Sequence, residues 1–375
     1  RDVLIHALPI YHTHGLFVAI NTLLMAGGTM IFLPKFDADQ VMSYREDKQG
    51  QILEEGINEA GAMSSWIAAA TSYTNHGEAM VPFYIFYSMF GFQRIGDLAW
   101  AAGDMRARGF LIGATAGRTT LAGEGLQHQD GHSPLVASTI PNCVTYDPAY
   151  GYELAVIIQD GLRRLFQEQE NRFYYLTAMN ENYVQPAMPA GAEEGILRGH
   201  YRIRAAEDEG DLRVQLLGSG AILREVLAAA DLLEADFGVL ADVWSVTSFN
   251  ELKRDGVEVE RWNMLHPTAS PRHSYVSEQL AGAPGPVIAA TDYVRAYAEQ
   301  IRPYLAQPYQ VLGTDGFGRS DMRAPLRRFF EVNRSYIAVA ALKALADEGE
   351  IPASQVREAI EKYRIDPEKP NPAKV

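Results

Sequence analysis

The stretch "PFYIFYSMFGFQRIGDLAWAAGDMRARGFLIGATAG", residues 82–117, runs from an aromatic segment through a helical one to an apolar segment ending in glycines. "PFYIFYS" has the aromatic content of a strand. "FQRIGDLAWAAGDMRAR" predicts a helix, and "GFLIGATAG" predicts a short buried strand. A helix between two strands is the usual crossover between parallel neighbours. An α/β layer with a mainly parallel sheet follows.

The alternation continues on both sides. Upstream, "GQILEEGINEAGAMSSWIAAATSY" (50–73) predicts one long Ala-rich helix carrying Glu54, Glu55 and Glu59. From periodicity alone these carboxylates read as a solvated acidic face. Downstream, "RTTLAGEGLQHQDGHSP" predicts a loop. "NCVTYDP" predicts a strand, with Asp147 as cap of the next helix and Pro148 in its first turn. "YELAVIIQDGLRRLFQ" has apolar residues at helical spacing, and "RFYYLTAMNE" closes the unit as a strand. The turn-rich "PAMPAGAEEG" (186–195) is the expected domain boundary. Beyond it, "HYRIRAAEDEGDLRVQLLGSG" predicts a hairpin with an acidic turn. "AILREVLAAADLLEADF" predicts a helix, and "GVLADVWSVTS", "GPVIAATDY" and "YQVLGTDGFG" predict strands. This is a second α/β domain, ending in the polar tail "DPEKPNPAKV". Residues 1–36 read as strand, loop, helix, strand, with "DVLIHALPI" and "TMIFLP" as the strands.

Composition narrows the function. The 375 residues are 47% hydrophobic and 21% charged, the balance of a globular chain of about two domains. A net charge of -14 argues against binding nucleic acid or an anionic membrane, which needs clustered Lys and Arg. The single cysteine, Cys143, excludes an internal disulfide and suits a reducing, cytoplasmic setting. The apolar stretch at residues 16–33 contains Asn21, Thr22, Gly27 and Gly28, and reads as buried core rather than a membrane span. No signal peptide is expected. The start at Arg1, mid-pattern, suggests a fragment.

Few motifs carry chemistry by spacing alone. His12 and His14 in "YHTHG" lack further ligands nearby, so no zinc site is expected there. "GATAGRTT" has Arg118 where a phosphate loop needs Lys, and one residue too few between its glycines. His128 and His132 are four apart, but the glycines around them predict a loop. Phe83, Tyr84, Phe86, Tyr87, Phe90 and Phe92 crowd a strand end. Core packing accounts for some of them, and such a junction also makes a slot for a flat heterocycle.

Long strings, among them "GQILEEGINEAGAMSSWIAAATSY", the run from "PFYIFY" through "GLQHQDGHS", "NENYVQPAMPAGAEEG", "SFNELKRDG", "ERWNMLHP" and "VLGTDGFGRSD", resemble a known family. It is the homodimeric, thiamine-diphosphate-dependent decarboxylating component of the bacterial pyruvate dehydrogenase complex. The resemblance covers residues 37–375, its C-terminal part. It implies two transketolase-like, three-layer α/β domains: a pyrimidine-binding domain at 37–190 and a transketolase C-terminal-like domain at 191–375. Residues 1–36 are similar instead to acyl-CoA synthetases, malonyl-CoA synthetases especially. A fusion point is expected between Leu33 and Ser43.

The resemblance implies an oxidoreductase that decarboxylates pyruvate, the product of glycolysis, and passes the acetyl unit to the lipoyl domain of dihydrolipoyl acetyltransferase. It implies a homodimer with thiamine diphosphate and Mg²⁺. Glu59 in "INEAGA" matches the carboxylate that hydrogen-bonds the aminopyrimidine ring and favours its basic tautomer. Tyr87 and Phe90 match residues that pack on that ring. Glu124 and His128 in "GEGLQH" match residues facing the thiazolium and substrate, where a histidine moves protons. The family holds Mg²⁺ through a Gly-Asp-Gly motif on a preceding domain, and this sequence has no such motif. No metal ligand is therefore expected here, and the isolated chain is expected to be inactive. Two alternatives stand beside the enzyme: a non-catalytic dimerising fragment with half a cofactor site, and a malonyl-CoA or acyl-CoA ligase read from the first tenth alone.

Overall fold

The computed structural model describes residues 3–6, 29–32, 53, 55–206, 210 and 212–375. Strands β1 (Val3–His6) and β2 (Thr29–Phe32) pair in parallel in a two-stranded sheet of their own. The rest of residues 1–36, His12 and His14 among them, and Glu54 and the expected fusion point lie outside the described residues.

The first large sheet has four parallel strands in the order β3-β4-β6-β5. They are β3 (Phe83–Tyr87), β4 (Phe110–Ala114), β5 (Cys143–Tyr146) and β6 (Phe173–Ala178). Helices α1 (Glu59–Ala70), α2 (Gly91–Asp104), α3 (Ser133–Ala137) and α4 (Gly151–Leu162) are interleaved with them. Side chains alternate across a strand, so the sheet feeds two cores. Leu111, Cys143, Phe173 and Tyr175 meet Met63 and Trp66 of α1 and Ile95 and Ala99 of α2. Phe110, Ile112, Val144, Tyr174 and Leu176 meet Leu154, Ile157 and Ile158 of α4 on the other face.

Two expectations about helix starts are corrected. The helix expected over residues 50–73 begins at Glu59, so Glu55 and Glu59 do not share one helical face. Gly56 takes the left-handed conformation at φ 66° and breaks the pattern. The Asn58 side chain then caps the helix by accepting from Gly61 N–H at 3.1 Å. Asp147 caps nothing. Helix α4 starts at Gly151 after Tyr150, and Glu153 turns back to accept from Ala149 and Tyr150 N–H at 2.6 and 3.0 Å. The Asp147 carboxylate is instead buried, where it accepts from Thr177 and Tyr293.

The second large sheet has five strands in the order β11-β10-β8-β9-β7. They are β7 (His200–Arg204), β8 (Arg213–Gly218), β9 (Leu240–Val246), β10 (Val287–Ala290) and β11 (Tyr309–Leu312). The expected hairpin of β7 and β8 does not form. Strand β9 lies between them, antiparallel to β7 and parallel to β8. It sends Ala241 and Val243 into one core and Trp244 and Val246 into the other, so a neighbour on each edge completes its burial. Helices α5 (Glu193–Arg198), α6 (Leu223–Phe237), α7 (Phe249–Leu265), α8 (Tyr275–Leu280), α9 (Arg295–Glu299), α10 (Arg323–Phe329), α11 (Arg334–Asp347) and α12 (Ala353–Lys362) complete the unit. Helices α6 and α11 cover one face, and α7, α8 and α9 the other. Each large sheet is thus the middle of three layers.

Candidate active site

In a parallel sheet, ligands gather beyond the carboxyl ends of the strands. Tyr87 is the last residue of β3, and Phe90 closes the 3₁₀ turn that follows, Ser88–Phe90. The loop after β4 carries Glu124, and His128 ends a second 3₁₀ turn, Leu126–His128. These turns bring three rings together. The His128 ring centroid lies 5.4 Å from that of Tyr87 and 5.2 Å from that of Phe90, nearly perpendicular to the latter at 71°. Tyr87 and Phe90 are 6.1 Å apart. The spacing is that of mutually attractive aromatic contacts. Tyr87 remains 43% exposed, so this face is open. Phe83 stacks on Phe110, while Phe86 and Phe92 pack on Tyr175, and these rings belong to ordinary sheet packing.

Charge surrounds the rings. Glu124 Oε2 lies 3.4 Å from His128 Nδ1, which is buried and makes no hydrogen bond. Burial, and then the Glu124 charge, pushes the Tyr87 phenol upward. Glu59, the first residue of α1, accepts a hydrogen bond from Arg94 at 2.7 Å. The Arg94 guanidinium lies 4.3 Å from the centroid of the Phe90 ring, within cation–π range. Arg94 therefore joins Glu59 to the ring cluster. On the other side of β3, the Tyr84 phenol is pushed up to about 12 by burial, then by Glu59 and Glu55.

Of the five residues singled out from sequence, Tyr87, Phe90, His128 and Glu124 stand in one contiguous cluster, and Glu59 reaches it through Arg94. Sequence reasoning missed Arg94. Its position four residues after Phe90, one helical turn on, was the available clue. It also missed Asp130, fully buried two residues after His128. Asp130 accepts from His132 and Ser133 N–H at 3.0 Å each and from the Ser88 hydroxyl. Ser88 in turn lies 3.0 Å from the Tyr175 hydroxyl. A Cβ at Gly113 would stand 2.5 Å from that hydroxyl, so a side chain there would break the network.

The exposed Tyr87 ring and the half-buried Phe90 ring, with the Glu59 carboxylate joined to them through Arg94, would suit the flat pyrimidine portion of thiamine diphosphate. Among the described residues no group of three or more His, Cys, Asp or Glu could hold a metal ion, so the residues present give no fit to Mg²⁺.

Two three-layer α/β domains with the cluster at the strand ends define a transketolase-like protein. Transketolase from Campylobacter jejuni has this fold, with a TM-score of 0.60 over 79% of this chain and 40% of its own, at 19% identity. The model for the pyruvate dehydrogenase E1 component middle domain matches residues 11–186, and that for the transketolase-like C-terminal domain matches residues 199–333. The pyruvate dehydrogenase E1 component of Pseudomonas aeruginosa is 69% identical over 337 residues, 90% of this chain. That of Cupriavidus necator is 64% identical over 340 residues. The chain belongs to the pyruvate dehydrogenase E1 family. It spans 38% of the length of these relatives. No described helix is long and apolar enough to cross a membrane.

Proposed function

We propose that the chain supplies the pyrimidine-binding domain (37–190) and C-terminal domain (191–375) of a pyruvate dehydrogenase E1 component. The activity is thiamine-diphosphate-dependent decarboxylation of pyruvate, with acetyl transfer to the lipoyl domain of dihydrolipoyl acetyltransferase. The juxtaposition of Tyr87, Phe90 and His128, with Glu59 joined through Arg94, carries this reading. Bound there, the cofactor supplies the electron sink for loss of CO₂ from the 2-oxo acid. Glu59 would hold a ring nitrogen of the aminopyrimidine, and Tyr87 and Phe90 would wall the ring. His128 would carry a proton to or from the substrate oxygen, with Glu124 beside it holding the imidazole's charge.

Association into a homodimer belongs to the same reading. Phe83, Ile85 and Tyr87 alternate along the edge strand β3 and remain 41%, 46% and 43% exposed. An exposed apolar edge of a parallel sheet favours a covering partner. The ligands of Mg²⁺ are assigned to the preceding domain of the family, not to this chain. The lone, buried Cys143 supports a reducing, cytoplasmic setting.

The same open face favours a second reading, a dimerising fragment that holds half a cofactor site and does not turn over. Calorimetry with thiamine diphosphate and Mg²⁺, alongside a pyruvate decarboxylation assay, separates the two. Binding with turnover supports the enzyme. Folding and association without turnover support the fragment. Absence of binding by a folded chain defeats the assignment of the site.

A further inference from the structure

The loop between β4 and α3 carries Glu124 and His128, yet its fastenings reach into the other domain. Near its start, Thr119 N–H lies 3.1 Å from each carboxylate oxygen of Asp292, and the Thr119 hydroxyl donates to the same carboxylate at 2.7 Å. Asp292 is buried just beyond β10. Its backbone carbonyl accepts from Arg118 N–H at 3.2 Å. Near the loop's end, buried Gln129 pairs with the backbone of Arg319 in both directions. Its Nε2 donates to Arg319 O at 2.7 Å, and its Oε1 accepts from Arg319 N–H at 2.7 Å.

Between these points, Gly123 N–H donates to Asp321 O at 2.9 Å, and Arg323 donates to Thr120 O at 2.6 Å. Thr115, where the loop leaves the strand, holds φ at 55°. That conformation is unfavourable for a β-branched residue and persists only where surrounding contacts impose it. Side chains at two glycines would obstruct the fastenings. A Cβ at Gly117 would strike the Asp292 carboxylate, and one at Gly318 would stand 2.5 Å from Gln129 Oε1.

We propose that Asp292 and Gln129 are positioning residues, which fix both ends of the Glu124–His128 loop and so set the His128 ring against Tyr87 and Phe90. The site in the first domain then depends on the second. This inference rests on the function proposed above. Removing the Asp292 carboxylate strands a buried N–H and a buried hydroxyl, which drives the loop toward conformations that water can reach.

The test is amide hydrogen exchange across residues 115–132 of the whole chain, with NMR of the His128 ring. In Asp292→Ala and Gln129→Ala, exchange in this segment rises at least tenfold over the rest of the molecule, and the His128 resonances shift. Asp292→Asn keeps an acceptor for Thr119 and restores both readouts. The inference is overturned if exchange rises no more here than elsewhere, if the His128 signals stay put, or if Asn fails to rescue. Should Asp292→Ala not fold, Thr119→Val removes only the hydroxyl and is read in the same way. Neither readout requires cofactor. Failure of the unaltered chain to bind thiamine diphosphate counts against the proposed function, whereas unchanged exchange counts against the positioning role.

Discussion

Arg94 reaches from the first turn of α2 to donate a 2.7 Å hydrogen bond to Glu59 at the start of α1. The arginine side chain is half exposed, so the pair contributes at most about 1 kcal/mol to stability. Its effect is to place a carboxylate beside a ring cluster. Between Glu59 and Arg94 the chain runs through the rest of α1, a short helix at Ser72–Asn75, β3 and the 3₁₀ turn Ser88–Phe90, and only the packing of these elements brings the two groups together.

Glu59→Ala is accordingly expected to leave stability within about 1 kcal/mol of the parent by urea denaturation. Calorimetry should show thiamine diphosphate binding weakened roughly tenfold or more, the loss of a charged hydrogen bond. Unchanged affinity removes Glu59 from the site.

His128→Phe should separate packing from chemistry. The substituted ring can keep the edge-on contact with Phe90, a contact of about 0.5–1.5 kcal/mol, so the melting curve moves little. In cofactor-loaded protein that turns over pyruvate, as the enzyme reading requires, the rate should drop about a hundredfold, because no nitrogen remains to carry a proton. Full turnover in this variant contradicts the role given to His128.

Stability should depend on pH through two buried carboxyls. Burial pushes Asp292 up to about 7 from 3.8, against the opposing charge of Arg327. Burial likewise pushes Asp147 up to about 6, against hydrogen bonds from Thr177, Ser219 and Tyr293. Both groups hold a proton more tightly in the folded state. Their contribution is full below the unfolded value of 3.8 and is lost as pH rises through 6 and 7. Asp292→Asn should lessen this decline. Urea midpoints for parent and variant across that range provide the comparison, and parallel pH curves would contradict it.

Arg327→Leu tests the seam between domains. Arg327 pairs with Glu181, both side chains are nearly buried, and its Nε lies 3.3 Å from the Thr119 hydroxyl. Removing one member of a buried pair costs about 3–5 kcal/mol, and the lower end is expected because Arg224 still reaches Glu181 at 2.7 Å. Chemical denaturation measures this loss. A change under about 1 kcal/mol would mark the pair as peripheral, on the scale of exposed ion pairs.

The sequence by itself determined the α/β class, since apolar strands alternating with helical periods leave little other way to bury both faces of each sheet. Strings long enough to show family resemblance also singled out Tyr87, Phe90, Glu124 and His128, which the fold brings together. What it left open depends on partners distant along the chain. The position of β9 between β7 and β8 follows from which strand is buried on both faces, whereas local turn composition predicted a hairpin. Asp147 reads as a helix cap from its neighbours, but Tyr293, far along the chain, gives its carboxylate another partner. Arg94 and Asp292 acquire their roles only where the chain folds back, because a hydrogen bond is set by the distance between atoms in space and not by separation along the chain.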